Sequence, residues 1–189
     1  MTSDASVAQV NLFVSWKTIY NLVLLTWIWV TISFNYYLIG LFLKYLPGDI
    51  FANTLASSIS ELLAVSMSGL LLQWFDIKHA MSCLFIISAA SGVWLIHAGN
   101  TSEYTAVIIM ACKFGIAATF NCVYIATAAM FKPNVSATAF GLCNFFARFA
   151  TVMAPFVAEM DEPLPIALIT ITCFTASLAV IGLTQEPES

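Results

Sequence analysis

Six long apolar runs follow one another along this chain with only short turn signals between them. Each is close to the ~20 residues that carry an α-helix across the hydrocarbon core of a bilayer. In lipid every backbone N–H and C=O must find its partner inside the protein, so runs of this length fold as helices. The first extends from about Leu22 to Leu46 and stops at Pro47-Gly48-Asp49, and the second runs from about Ile50 to Trp74 before Phe75-Asp76-Ile77-Lys78. The third, about Ala80 to Ala98, ends at Gly99-Asn100; the fourth, about Tyr104 to Phe131, ends at Lys132-Pro133-Asn134. The fifth, about Ala137 to Val157, gives way to Glu159-Met160-Asp161-Glu162-Pro163, and the sixth, about Leu164 to Thr184, fades into a polar tail, 185–189. Only 8% of the residues are charged, where a soluble domain needs about 25% to cover its surface. The expected fold is an all-α integral membrane bundle of six transmembrane helices, spanning 22–184.

Residues 1–21 read as a polar or interfacial leader. Leu12, Phe13, Trp16 and Tyr20 fall near helical spacing, which suits either a helix lying flat in the interface or a plain leader with aromatic anchors. Six crossings put both termini on one side. Lys17, Lys78 and Lys132 fall on that side and Lys44 on the other, so the positive-inside bias points the termini to the cytoplasm or a mitochondrial matrix. The first ten residues hold no Lys or Arg, so neither a secretory n-region nor an Arg-rich transit peptide is visible. The organelle stays open, with the mitochondrial inner membrane among the options. Two Asn-x-Ser sequons, at Asn100 and Asn134, fall on opposite sides, so at most one is open to glycosylation.

Several function classes drop out. The net charge of −4 leaves no basic patch for nucleic acid. Cys83, Cys112, Cys122, Cys143 and Cys173 are scattered through apolar runs, without metal-ligand spacing or a disulfide framework. His79 and His97 fall near opposite surfaces with no partner at a metal-binding spacing. No Gly-rich phosphate loop or nucleophile elbow occurs. No enzyme activity, metal or cofactor is expected.

The remaining chemistry sits in the interior of the spans. Glu61, Lys113 and Arg148 are each nine to eleven residues into a run, which at 1.5 Å per residue is roughly 14–16 Å deep. A charge at that depth costs about 2.5–3.5 kcal/mol even on the lenient insertion scale, so it faces a partner, a bundle interior or water. Two cations and one carboxylate suit an organic anion, held bidentately by Arg148 with Lys113 as a second point charge. The alternative is structural: Glu61 pairs with one cation while carbonyls or water satisfy the other. Tyr36 and Tyr37 in the first run, Asn121 and Tyr124 after Lys113, and Asn144 one turn before Arg148 are the accompanying lining candidates. For each of them interhelical hydrogen bonding is the competing role.

The run Lys113-Phe114-Gly115-Ile116-Ala117-Ala118-Thr119-Phe120-Asn121-Cys122-Val123-Tyr124 resembles a helix of the organic cation/anion transporters of the major facilitator superfamily. So does Ala147-Arg148-Phe149 leading into Ala154-Pro155-Phe156-Val157. Tyr36-Tyr37, Ser60-Glu61-Leu62 and Gln185-Glu186-Pro187 add looser matches. From about Leu22 onward the chain resembles the C-terminal six helices of that family. The resemblance implies two inverted three-helix repeats, half of a facilitator fold. It also implies an anion-carrier type of site, since a basic residue at the position of Arg148 goes with the anion branch and Lys113 matches that branch's helix-ten lysine.

The departures matter as well. The family's cytoplasmic gating motif, an acidic residue followed by Gly-Arg-Arg, falls on Gln73-Trp74-Phe75-Asp76-Ile77-Lys78, so Gln73, Asp76, Ile77 and Lys78 form a degenerate version. The companion Glu, Pro and Arg fall on Ala129, Lys132 and Ser136. Because the chain begins where the second half of such a carrier begins, its polar seam is expected to be covered by other membrane chains: a larger complex, a separate N-terminal half or a second copy. Three roles follow: an accessory subunit with vestigial transport, placed first; a half-transporter of organic anions; and a fragment of a full carrier.

Overall fold

The computed structural model describes residues 16–45, 50–98, 105–131 and 133–184. Residues 1–15, the Pro47-Gly48-Asp49 turn, the Asn100 sequon, Lys132 and the tail 185–189 lie outside the described residues, as does the Asn134 side chain. The helices are α1 (Trp16–Phe42, continued by a 3-10 turn, Leu43–Tyr45), α2 (Ile50–Trp74), α3 (Ile77–Ala98) and α4 (Thr105–Met130). They are followed by α5 (Pro133–Thr151), the short α6 (Ala154–Ala158) and α7 (Leu164–Gly182). Six segments are long and apolar enough to span a membrane, with α5 and α6 sharing one of them. The helix assignments follow the sequence closely, with two differences. Trp16–Asn21, expected in a leader, are the first turns of α1. The fifth run, expected to be continuous, breaks between Thr151 and Ala154. Pro155 accounts for this: it offers no N–H and its ring clashes with the carbonyl four residues back, which is that of Thr151.

α1 and α4 form the centre of the bundle. α1 packs on α4, α5, α6 and α7, while α4 packs on α1, α2, α3 and α5. α2 rests chiefly on α4 and α5 chiefly on α1, and α3 and α7 pack on each other. As a result α2 and α5 are the least covered helices. Lipid tails are as apolar as leucine, so association depends on close approach and interhelical hydrogen bonds. At Gly115 of α4 a Cβ would lie 2.7 Å from the Leu84 carbonyl and closer still to the Ser88 hydroxyl, so only glycine lets α3 approach this far. Ser88 then donates to the Cys112 carbonyl at 3.0 Å. Asn35, fully buried, donates to Thr172 Oγ1 at 2.9 Å and to Cys173 Sγ at 3.3 Å, joining α1 to α7. Ser82 and Ser177 meet at 2.9 Å between α3 and α7. Thr26 with Cys143 and Ser33 with Thr151 join α1 to α5. All five cysteines are free; Cys83 is exposed and the other four are buried.

The two ends of the bundle are tied differently. At one end the Asn21 amide donates to the Thr184 carbonyl at 2.7 Å and accepts from its backbone N–H and hydroxyl at 3.0 Å. At the same end Lys78 donates to the Leu183 carbonyl. The one basic residue of the degenerate motif thus caps the C-terminus of α7. Its neighbours Gln73 and Asp76 are exposed and Ile77 half-buried, and Asp76 reaches only the exposed His79, at 3.7 Å. At the other end Lys44 and Glu159 form an exposed ion pair at 3.5 Å.

Candidate functional site

Tyr36 and Tyr37, adjacent on α1, point about 100° apart because of the helical turn angle. Their side chains therefore serve two different wings of the bundle. Tyr36 turns toward α2 and α4, where its hydroxyl donates a short hydrogen bond to Glu61 Oε1. Tyr37 turns toward α5, where Arg148 Nη1 donates to its hydroxyl at 2.9 Å and the guanidinium stands 5.9 Å from its ring centroid. The two rings meet edge-on, with centroids 5.5 Å apart at 83°.

On the first wing Glu61 Oε2 lies 3.4 Å from Lys113 Nζ. The partners are not equivalent. The Lys113 side chain is 10% exposed and the Glu61 side chain 35%. Lys113 also stands 5.6 Å from the Tyr36 ring centroid, a cation–π distance. One turn-spaced row on α2 makes this contact: Ser57, Ser60, Ala64 and Ser68 are buried and bring α2 against α4. Ser60 donates to the Met110 carbonyl at 3.0 Å and Asn121 donates to Ser68 at 2.6 Å.

Between these groups lies a cavity of about 250 Å³ lined by Tyr36, Tyr37, Glu61, Val65, Ala117, Phe120, Asn121 and Tyr124. Its wall is a carboxylate edge, an amide and four aromatic rings. Behind the rings, Trp29 packs edge-on against Tyr124 at 4.8 Å, Phe140 at 5.1 Å and Phe120 at 6.1 Å, and donates to Thr127 at 3.0 Å. That bond fixes the indole, and the indole fixes the rings that line the cavity.

Of the eight candidate site residues, five line this cavity: Tyr36, Tyr37, Glu61, Asn121 and Tyr124. Lys113 does not; it stands behind Glu61 and lines a separate small cavity with Ser57. Arg148 is exposed on α5 and joins the site only through Tyr37. It forms no ion pair among the described residues. Asn144 is turned back along its own helix, donating to the Phe140 carbonyl at 3.3 Å. The expectation that all three deep charges share one centre therefore resolves into a neutralised pair on one wing and a lone guanidinium on the other. Phe120, Val65, Ala117 and Trp29 were not among the candidates. Phe120 precedes Tyr124 by one turn, which is the signal that identifies it.

Together, the fold and site describe an all-α bundle with six segments long and apolar enough to cross a membrane and a cavity half way along them, edged by one carboxylate. Comparison with curated proteins agrees. The chain is distantly homologous, over most of its length, to organic cation/carnitine transporters. It is 28% identical to organic cation/carnitine transporter 2 of Homo sapiens over 158 residues, 81% of this chain and 28% of that protein. It is 26% identical to solute carrier family 22 member 16 of Xenopus laevis, over 93% of this chain and 32% of that protein. With organic cation/carnitine transporter 4 of Arabidopsis thaliana the identity is 28%, over 75% and 27% respectively. The chain thus spans about a third or less of the length of these relatives, which are transporters and not enzymes. No protein-family model matches the chain.

Proposed function

We propose that the chain is the substrate-binding half of an organic-ion carrier, completed by a second six-helix bundle across its open face. The observation that carries this is the guanidinium of Arg148, which has no carboxylate partner among the described residues and rests on Tyr37 at the edge of an aromatic cavity on the least covered side of the bundle. A carboxylate bound there gains charge-assisted, bidentate hydrogen bonds that Lys could not supply in the same geometry. The organic remainder of the ion packs against Tyr37, Tyr36, Phe120 and Tyr124. An ion that also carries an ammonium group would place it against those rings and the Glu61 edge, and carnitine, after which one relative is named, has both charges. The packing of α2 on α4 and of α5 on α1 supports two inverted three-helix repeats related across the α1–α4 axis. The ends carrying Lys17 and Lys78 face the cytoplasm or matrix in this reading.

A docked accessory subunit with no transport would leave Arg148 without a role, and the relatives are carriers. The carrier reading is therefore preferred. The test uses the assembly extracted gently from its own membrane and placed in proteoliposomes, with carnitine and benzoate as labelled probes. Uptake of at least one that falls at least tenfold with Arg148→Ala supports the proposal. No uptake of either, or uptake indifferent to Arg148→Ala, overturns it.

A further inference from the structure

The Glu61 carboxylate forms part of the cavity wall, yet its charge is cancelled from behind by an ammonium that does not reach the cavity. Lys113 instead lines a second, much smaller cavity with Leu43, Asn53, Ala56 and Ser57 among its walls. That cavity has a volume of about 10 Å³, roughly the space of one water molecule and therefore of one ammonium head. Ser57 Oγ, on a residue 2% exposed, is one of the buried hydroxyls with no hydrogen-bond partner among the described residues. A buried hydroxyl is not left unpaired without cost, and an orphan of this kind calls for an occupant. Ser57 lies four residues before Glu61, one helical turn away on the same face of α2. A Lys113 ammonium that leaves Glu61 therefore has an acceptor a single turn away, within reach of its flexible four-carbon stem.

We propose that Lys113 is a movable counter-ion: resting on Glu61 it masks the carboxylate, and moving to Ser57 it unmasks a site for a ligand's ammonium group. This deepens the carrier reading and rests on its cavity. It makes Lys113 a specificity-determining residue that does not touch the ligand. With Lys113 on Glu61 the cavity presents rings and a neutralised carboxylate, and the anion site at Arg148 dominates. With Lys113 on Ser57 the same cavity presents a free carboxylate among four rings, which is a cation site. The apparent affinity for an ammonium ligand is reduced by the fraction of molecules in which Glu61 is unmasked, so both stations set it.

The experiment measures binding of tetramethylammonium and benzoate to the full chain in its extracted assembly by equilibrium dialysis. Lys113→Gln removes the mask and is expected to tighten tetramethylammonium at least tenfold. Adding Glu61→Gln to that variant should abolish the gain. Ser57→Val fills the small cavity and holds Lys113 on Glu61, so tetramethylammonium binding should weaken about threefold or more while benzoate binding is unchanged. The idea is overturned by a folded Lys113→Gln protein with no gain, by a gain that survives Glu61→Gln, or by Ser57→Val leaving tetramethylammonium binding unaltered. The Ser57→Val measurement stands even where Lys113→Gln does not fold. Benzoate binding that ignores Arg148→Ala would sink the carrier reading alone, since the ammonium results do not depend on Arg148.

Discussion

The Glu61–Lys113 pair makes an asymmetric prediction about stability. Removing one member of a buried pair strands the other, at a cost of about 3–5 kcal/mol where burial is complete. Here the two strandings differ. Glu61→Gln strands an ammonium whose side chain is 10% exposed, whereas Lys113→Met strands a carboxylate whose side chain is 35% exposed and still accepts from Tyr36. Glu61→Gln is therefore expected near the lower end of that range, about 3 kcal/mol, since Ser57 offers the ammonium a partner. Lys113→Met is expected to cost less, about 1–2 kcal/mol, because the carboxylate it leaves is partly exposed and keeps its hydrogen bond from Tyr36. The double variant Glu61→Gln/Lys113→Met leaves no charge behind. Its cost should fall short of the sum by about 1–3 kcal/mol, the coupling typical of contacting residues. Reversible unfolding in mixed micelles, monitored by helical circular dichroism, gives all four corners of the cycle. Additivity within about 0.5 kcal/mol would refute the pairing. A larger cost for Lys113→Met than for Glu61→Gln would refute the placement of Lys113 as the buried partner.

Three further outcomes follow from other contacts. Gly115→Ala should lower the unfolding free energy by about 1–3 kcal/mol in the same assay, because its Cβ meets the Leu84 backbone carbonyl at 2.7 Å and backbone yields little; Gly69→Ala, with open space around it, should be nearly silent. Arg148→Ala should weaken benzoate by at least about 10–100-fold in equilibrium dialysis, the range of a single one of the two charge-assisted hydrogen bonds it would lose, and Arg148→Lys should recover only part of it. Asn21→Ala removes all three bonds to Thr184, so amide hydrogen exchange should accelerate at Leu183 and Thr184 while the middle of α7 stays protected.

Much of the fold was legible because the bilayer imposes a single length and a single backbone solution. The six runs and their turn signals place the helices to within a few residues, and the departures have local causes. Pro155 ends α5 at Thr151, four residues upstream, which can be read from the sequence once proline's clash is applied. The start of α1 at Trp16 was less legible, since Trp16, Lys17 and Tyr20 suit an interfacial segment as well as a helix end. The site was half legible. Depth along a helix depends only on residue count, so Glu61, Lys113 and Arg148 were identifiable as deep charges. Rotation about the helix axis and the neighbour it faces depend on packing, which apolar runs without a strong polar face do not reveal. That is why Lys113 and Arg148, at similar depth, were expected together but face different helices. Asn144 shares a face with Arg148 yet returns its amide to the Phe140 carbonyl, a local bond that competes with any role in the lining.

The two least covered helices, α2 and α5, are the two that carry Glu61 and Arg148. If the bundle met lipid on all sides, these should be its most apolar helices, because exposure of a charge to hydrocarbon is what the fold must avoid. Instead α2 carries Thr54, Ser58 and Ser66, exposed, with each hydroxyl returned to the carbonyl four residues back. Such back-bonding is how a hydroxyl survives where water is scarce, and it leaves the small side chains free to sit against another backbone. Phe145, Phe146, Phe149 and Phe156 on α5 and α6 give the other flank a broad apolar surface instead. On α2 these hydroxyls stand among exposed Leu55, Ile59, Leu62, Leu63 and Leu70, so both flanks of the charged site are largely apolar, aliphatic with interspersed hydroxyls on α2 and aromatic on α5.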